Sequence, residues 1–186
     1  MQFIENFYIK TVLYDLINKF NYKTSKKIPK IKKMVLNFSC KNNDIKYLST
    51  SLLALELITN QKGKMTNTKK SNVLLKIRKG NPVGCKVTLR KKRLITFFSK
   101  LIVEIFPKLK NFDGFIINKK NNSYSYKLRD PFAFPELEEH YYLFNTLAAL
   151  NITIVTNTET KEELKFILNS LKFPLKNSIY NSIGRV

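Results

Sequence analysis

Tryptophan is absent from this 186-residue chain, histidine occurs once and cysteine twice. Cys40 and Cys85 cannot make a metal cluster by themselves and read as small buried hydrophobes. The single histidine, His140, sits in PELEEHYYLF beside Glu138 and Glu139, with no second histidine or cysteine nearby. It reads as a solvated or capping residue rather than a metal ligand or an acid–base group. Gly80 and Gly84 fit neither of the glycine patterns that cradle phosphates, GxxxxGK[ST] or GxGxxG. Glu162 and Glu163 stand at the start of an expected helix, where the dipole accounts for them. With no catalytic, metal or cofactor equipment in view, the chain reads as a non-enzyme with no cofactor.

Long apolar runs are also missing. The longest, LLALELI (52–58), is broken by Glu56 and falls far short of the about eighteen residues that cross a bilayer. The opening MQFIENFYIKTVLYDLINKF has no signal-peptide apolar core and no arginine-rich, acid-poor transit character, so it reads as an amphipathic helix.

Acid is the scarcest resource. There are 13 Asp and Glu against 34 Lys and Arg, a formal net charge of +21 and a pI near 10.0. The imbalance is local: residues 1–130 hold 29 bases and 7 acids, residues 131–186 hold 5 and 6. Residues 60–93 contain no acid. With 44% hydrophobic and 12% aromatic residues the chain is globular, not a basic tail. A charge this large repels itself, so a polyanionic partner on the first two-thirds is the expectation. Lysine outnumbers arginine 29 to 5, which suits AT-rich coding in a small organellar genome. Codon drift accounts for lysine over arginine but not for a long acid-free stretch.

What is present is a mixture of two periodicities. MVLNFSC (34–40) has strand character after a basic connector, NYKTSKKIPKIKK (21–33). Asp44 can cap a helix to about Ile58 with Ile45, Leu48, Leu52, Leu55 and Ile58 on one face. From Leu75 the spacing becomes two: Leu75 and Ile77, then Val83, Cys85, Val87 and Leu89, with Lys, Arg and Thr between. A hairpin turning at KGNP (79–82) is expected, oily on one side and cationic on the other. Leu94, Phe97, Phe98, Leu101, Ile102 and Ile105 predict a helix ended by Pro107. Loops are expected at Asn111–Gly114 and NKKNNS (118–123). Strands follow at Tyr124–Leu128 and NITIVT (151–156). Thr160 and Glu163 form a capping box for a last helix, closed by Pro174. Without a strict βαβ rhythm this is α+β: an antiparallel sheet with helices on one face, an RRM-like or ferredoxin-like variant. One RNA-binding domain is expected over 1–186, with an N-terminal helix at 1–20, a basic sheet region with its hairpin at 34–93 and a variable segment at 138–150.

Lys and Arg contact phosphates, and Asn, Gln and Thr on the same face hydrogen-bond ribose and base edges. Asn37, Gln61, Thr66 and Thr88 stand among the bases of the sheet region. The competing reading of the same face is a free RNA chaperone or an RNA-processing enzyme, which would need acids or a histidine clustered beside it.

The segments VLN (35–37), LELITNQK (55–62), TKKS (68–71), KIRKGNPVGCKVTLR (76–90), NFDGF (111–115), NSYSYKLRDPFAFPEL (122–137), NITIVTNTETKEE (151–163) and LKFP (171–174) come in an order that resembles the universal large-subunit ribosomal protein family numbered five. The resemblance covers more than four-fifths of the chain. It implies a structural ribosomal protein of the central protuberance, binding 5S rRNA (or whatever replaces it) and large-subunit rRNA. It also implies a loop reaching the peptidyl-site tRNA, neighbouring ribosomal proteins, and an intersubunit bridge to a small-subunit head protein. Carried over by position, Asn37, Gln61, Thr66 and Thr88 become hydrogen-bonding contacts, and Lys62, Lys69, Lys70, Lys86 and Arg90 phosphate contacts. Lys76, Arg78, Lys79, Gly80 and Asn81 become the tRNA-facing loop. Departures from the family pattern are LNFS (36–39), NQKG (60–63), TNTKKS (66–71) and the longer, more apolar ELEEHYYLFNTLAAL (136–150). Composition points to a mitochondrial, mitochondrially encoded member.

Overall fold

The computed structural model describes residues 3–39, 45–74, 77–109 and 123–173. Five strands, β1 (Ile31–Ser39), β2 (Lys64–Asn67), β3 (Pro82–Leu89), β4 (Ser123–Leu128) and β5 (Leu150–Thr156), form one sheet in the order β2-β3-β1-β5-β4. Every neighbouring pair is antiparallel, so the fold is α+β.

Alternation decides which face is covered. Met34, Leu36 and Phe38 of β1 stand opposite Leu89, Val87 and Cys85 of β3, and opposite Ile154, Ile152 and Leu150 of β5. All nine are buried, and the helices supply the other half of their core. Ile31 breaks the parity of β1, because a register shift between Ile31 and Lys33 sets it opposite Thr156 and on the covered side. The Ile45–Thr59 helix lies on β3 through Leu48, Leu55 and Ile58, with Ser51 and Ala54 filling the stripe. Ile45, expected on that face, is 77% exposed at the first residue of the helix. Asp44 lies outside the described residues, as do Cys40, Leu75, the 111–114 and 118–122 loops and Pro174.

Two helices contain a π-turn. In the N-terminal one, Phe3–Phe7 and Leu13–Lys19 flank the wide turn Tyr8–Val12. Ile4, Tyr8, Val12, Leu16 and Phe20 all pack on the core, a repeat of four residues. An α-helix of 3.6 residues per turn would rotate such a stripe away from the core, and the wider π-turn brings it back. The helix starting at Lys91 has the same device at Leu101–Ile105 and then runs on through Phe106–Lys108. Pro107 therefore sits inside its last turn instead of ending it.

The last helix, Lys161–Ser170, opens with the expected capping box. Glu163 N–H donates to Thr160 Oγ1 at 3.3 Å, and Glu163 Oε2 accepts Thr160 N–H at 3.2 Å. The 21–33 segment is anchored: Tyr8 Oη donates to the Pro29 carbonyl at 2.6 Å, and Asn157 Nδ2 donates to the Ile28 carbonyl at 3.2 Å.

The expected hairpin is built differently. β3 does turn Cys85, Val87 and Leu89 inward and Lys86 and Thr88 outward, but its hairpin partner is β2, not the residues just before the KGNP turn. Ile77 makes only an isolated bridge to Asn72. Thr68 explains why. Its N–H and hydroxyl both reach the Asn81 carbonyl, its hydroxyl also reaches the Arg78 carbonyl, and its own carbonyl accepts Gly80 N–H. The chain is thereby pinched shut before residues 77–79 can lie along β3. The turn at Gly80, with φ +90°, and Pro82, which lacks an N–H, belong to this pinch.

Candidate nucleic-acid interface

The second parity of each strand leaves a face that no helix among the described residues covers. One row crosses all five strands: Lys64 opposite Lys86, Lys86 opposite Asn37, Asn37 opposite Asn151, and Asn151 opposite Lys127. At the usual strand spacing the row spans roughly 19 Å, several nucleotides of backbone. Beside it lies a second row, Thr88, Val35, Thr153 and Ser125, whose last two hydroxyls are 3.1 Å apart. A third pairs Thr66 and Ser39 with Gly84 between them.

None of these five strands contains an Asp or a Glu. Among the described residues the ion pairs are Lys27–Glu159 and Lys100–Glu136, and neither uses a lysine of this face. Lys64 and Lys86, directly opposite each other, repel. Beyond the end of β3, Arg90, Lys91, Lys92 and Arg93 are all exposed at the start of a helix. That is the positive end of the helix dipole, so the fold gains nothing from cations there. The charge is arranged against the protein's own stability and in favour of an anion.

The structure brings most of the sequence-derived candidates together. Asn37, Thr66, Lys86 and Thr88 share the open face, and Arg90 follows at its edge. Lys62 is exposed just before β2. Gln61 has a second duty: its Nε2 donates to the Thr88 carbonyl at 3.0 Å, tying the end of the Ile45–Thr59 helix to β3 and leaving its amide oxygen and one N–H for other partners. Lys69, Lys70, Arg78, Lys79, Gly80 and Asn81 belong to the excursion between β2 and β3, a finger laced at Thr68–Asn81 and again at Asn72–Ile77. Lys76 lies outside the described residues.

Sequence reasoning missed Lys64, Asn151, Thr153, Ser125 and Lys127 on the open face. The signal for the last four was readable in the alternation of NITIVT and SYSYKL, but joining them to Lys86 takes the pairing register.

Among the described residues no group of three or more His, Cys, Asp or Glu could hold a metal ion, and His140 is exposed. Cys85 is buried with its Sγ donating to Ser51 Oγ at 3.3 Å. The 131–160 stretch has no Lys or Arg, and it displays Glu138, Glu139, Tyr141, Tyr142 and Leu143 to solvent.

Residues 82–175, from the first residue of β3 onward, match the model of the ribosomal L5 family C-terminus. Over 179 residues the chain is 39% identical to the Large ribosomal subunit protein uL5m of Reclinomonas americana, spanning 94% of this chain and 98% of that one. The chain belongs to the ribosomal L5 family. Bacterial members are nearly as similar: the uL5 of Blochmanniella floridana is 36% identical over 185 residues, 96% of each chain. That of Nitrosomonas europaea is 34% identical over 175 residues, 92% of this chain and 97% of its own. As a ribosomal L5 protein the chain is a structural, non-enzymatic constituent of the large ribosomal subunit.

Proposed function

We propose that the open sheet face binds 5S rRNA, together with large-subunit rRNA, in the central protuberance. The observation that carries this reading is the acid-free row Lys64–Lys86–Asn37–Asn151–Lys127. Lys62, Lys69, Lys70, Lys86 and Arg90 neutralise phosphates, while Asn37, Thr66, Thr88 and the free oxygen of Gln61 hydrogen-bond ribose and base edges. The finger, with Lys76, Arg78, Lys79, Gly80 and Asn81, reaches the peptidyl-site tRNA. The 138–150 surface, which shows Glu138 and Glu139 and has no Lys or Arg, does not attract RNA phosphates, and it serves protein neighbours, including the small-subunit head protein across the intersubunit gap. A mitochondrial ribosome is the proposed setting, supported by the lysine- and asparagine-rich composition and by the likeness to a uL5m.

The test is binding of the full chain to 5S rRNA over a salt series. Each lost phosphate contact, as in Lys86→Gln or Arg90→Gln, lowers the slope of log K against log salt by about one. An unchanged slope in both variants sinks the open face as the footprint. Chain that does not sediment with large subunits from its native source would favour a free RNA chaperone instead.

A further inference from the structure

The N-terminal helix has a second apolar row that the core does not use. Its π-turn keeps Ile4, Tyr8, Val12, Leu16 and Phe20 on the core by a repeat of four, and the same repeat aligns Ile9, Leu13 and Ile17 in a neighbouring row. Ile9 is 52% and Ile17 44% exposed, and Leu13 is half-buried. From Ile9 to Ile17 the row runs about 12 Å, a little over two turns. At its Ile9 end it opens into a cavity of about 260 Å³, lined also by Leu94, Ile95, Phe98 and Leu171. The wall at Lys30 is held in place, because Tyr8 Oη donates to the Pro29 carbonyl and Lys30 N–H donates to Asn157 Oδ1. Single apolar side chains on a surface are ordinary. A row of them leading into a preformed apolar cavity has the form of a groove that takes an amphipathic helix.

Charge selects the occupant. Lys30 lines the cavity, Lys10 and Lys172 are the chain neighbours of Ile9 and Leu171, and Lys92 lies one turn before Ile95. All four lysines are exposed, and among the described residues Glu5 is the one acid in the lining. Phosphates of RNA would match the lysines and leave the apolar row and the cavity unfilled. The chain's own residues 176–186 carry Lys176 and Arg185 and no Asp or Glu, so docking them here would set cations against cations. A helix with an apolar stripe and acidic flanks satisfies both requirements. We propose that this groove docks an acidic amphipathic helix of a neighbouring protein, which seats one large apolar side chain in the cavity, lays its stripe along Ile9, Leu13 and Ile17, and turns its carboxylates to Lys10, Lys30, Lys92 and Lys172. The groove lies on the helix-covered side of the sheet, away from Lys64, Lys86 and Asn37, so the chain can hold this partner and RNA together.

The probe is a labelled peptide of about sixteen residues, with Leu at every third or fourth position and Glu and Ala between, titrated with the full chain and followed by fluorescence anisotropy. It is expected to bind about tenfold more tightly than the same residues in shuffled order, the scale of burying part of two aliphatic side chains. Ile9→Asn with Ile17→Asn removes that preference and leaves circular dichroism and 5S rRNA binding as in the wild type. Lys10→Glu with Lys30→Glu weakens the acidic peptide and favours a version with Lys in place of Glu. Equal binding of the ordered and shuffled peptides, or an unchanged preference in the asparagine pair, overturns the docking site. A preference that emerges only when residues 176–186 are removed assigns the groove to the chain's own end and overturns it too. In purified large subunits that contain the chain, carbodiimide treatment should join Lys10 or Lys30 to an Asp or Glu of another protein, identified by mass spectrometry of the linked peptides. If neither lysine is joined to another protein there, the proposal fails.

Discussion

Lys86 and Asn37 face each other across the β1–β3 ladder, and Lys64 stands on the other side of Lys86. A cation is therefore held between a second cation and an amide in the middle of a sheet with no carboxylate. Lys64→Gln should raise the thermal midpoint of the free protein slightly, by removing a cross-strand repulsion, while weakening its binding to 5S rRNA. Calorimetry and a salt-series binding measurement on the same variant check the two signs. A variant that loses stability and keeps its RNA affinity would mean that the lysines serve the fold.

Gln61→Ala removes the hydrogen bond to the Thr88 carbonyl and is expected to cost about 1 kcal/mol of unfolding free energy. Urea denaturation measures it. If the amide oxygen also contacts RNA, selectivity for 5S rRNA over an unrelated RNA falls as well, beyond what the stability loss produces. A stability change without a selectivity change assigns Gln61 to the fold alone.

Gly84 and Gly63 make a matched pair. A Cβ on Gly84 would lie 2.5 Å from the Phe38 carbonyl oxygen, which the β1–β3 ladder holds in place. Gly84→Ala is expected to destabilise by about 1–3 kcal/mol. At Gly63 the obstacle is Leu52 Cδ1, the end of a half-buried side chain that can rotate aside. Gly63→Ala should cost distinctly less, and equal denaturation midpoints for the two variants would contradict this account.

Alkaline pH should open the protein from the tyrosines. Burial, then the neighbouring Glu163 carboxylate, pushes the Tyr22 phenol up to about 12, and burial raises Tyr124 as well. A folded-state pKa above the unfolded one means that stability is fully present below pH 10 and drains away between about 10 and 12 for Tyr22, as the unfolded chain alone releases the proton. Tyr22→Phe should move base-induced unfolding to higher pH, followed by circular dichroism across that window. An unshifted transition would show that Tyr22 does not contribute to it.

β3 and β5 were legible because a half-buried strand writes its two faces into alternate residues, and the last helix because a capping box is a local signal. β2 was not: KMTN has no apolar rhythm, and it is a strand only because β3 offers an edge. The alternation from Leu75 misled because two apolar residues imitate a strand start, whereas the closure by Thr68 is a tertiary fact. The same limit hid the five-residue row. Asn37, Lys86, Asn151 and Lys127 were each visible on their own strands and Lys64 was not, but Asn151 and Lys127 come together with Lys86 only through registers that join distant parts of the chain. The double duty of Gln61 was invisible for the same reason.

β1 lies at the centre of the sheet, yet its neighbour β5 comes from the far end of the chain. While the polypeptide is being made, one whole edge of β1 therefore waits with bare amide and carbonyl groups until Thr156 has been added. A nascent chain can close β2, β3 and β1 early, but its ligand platform is only half as wide until the last strand docks. A product cut short before β5 would leave that edge of β1 unpaired, a sticky three-stranded fragment rather than a weaker version of the finished protein.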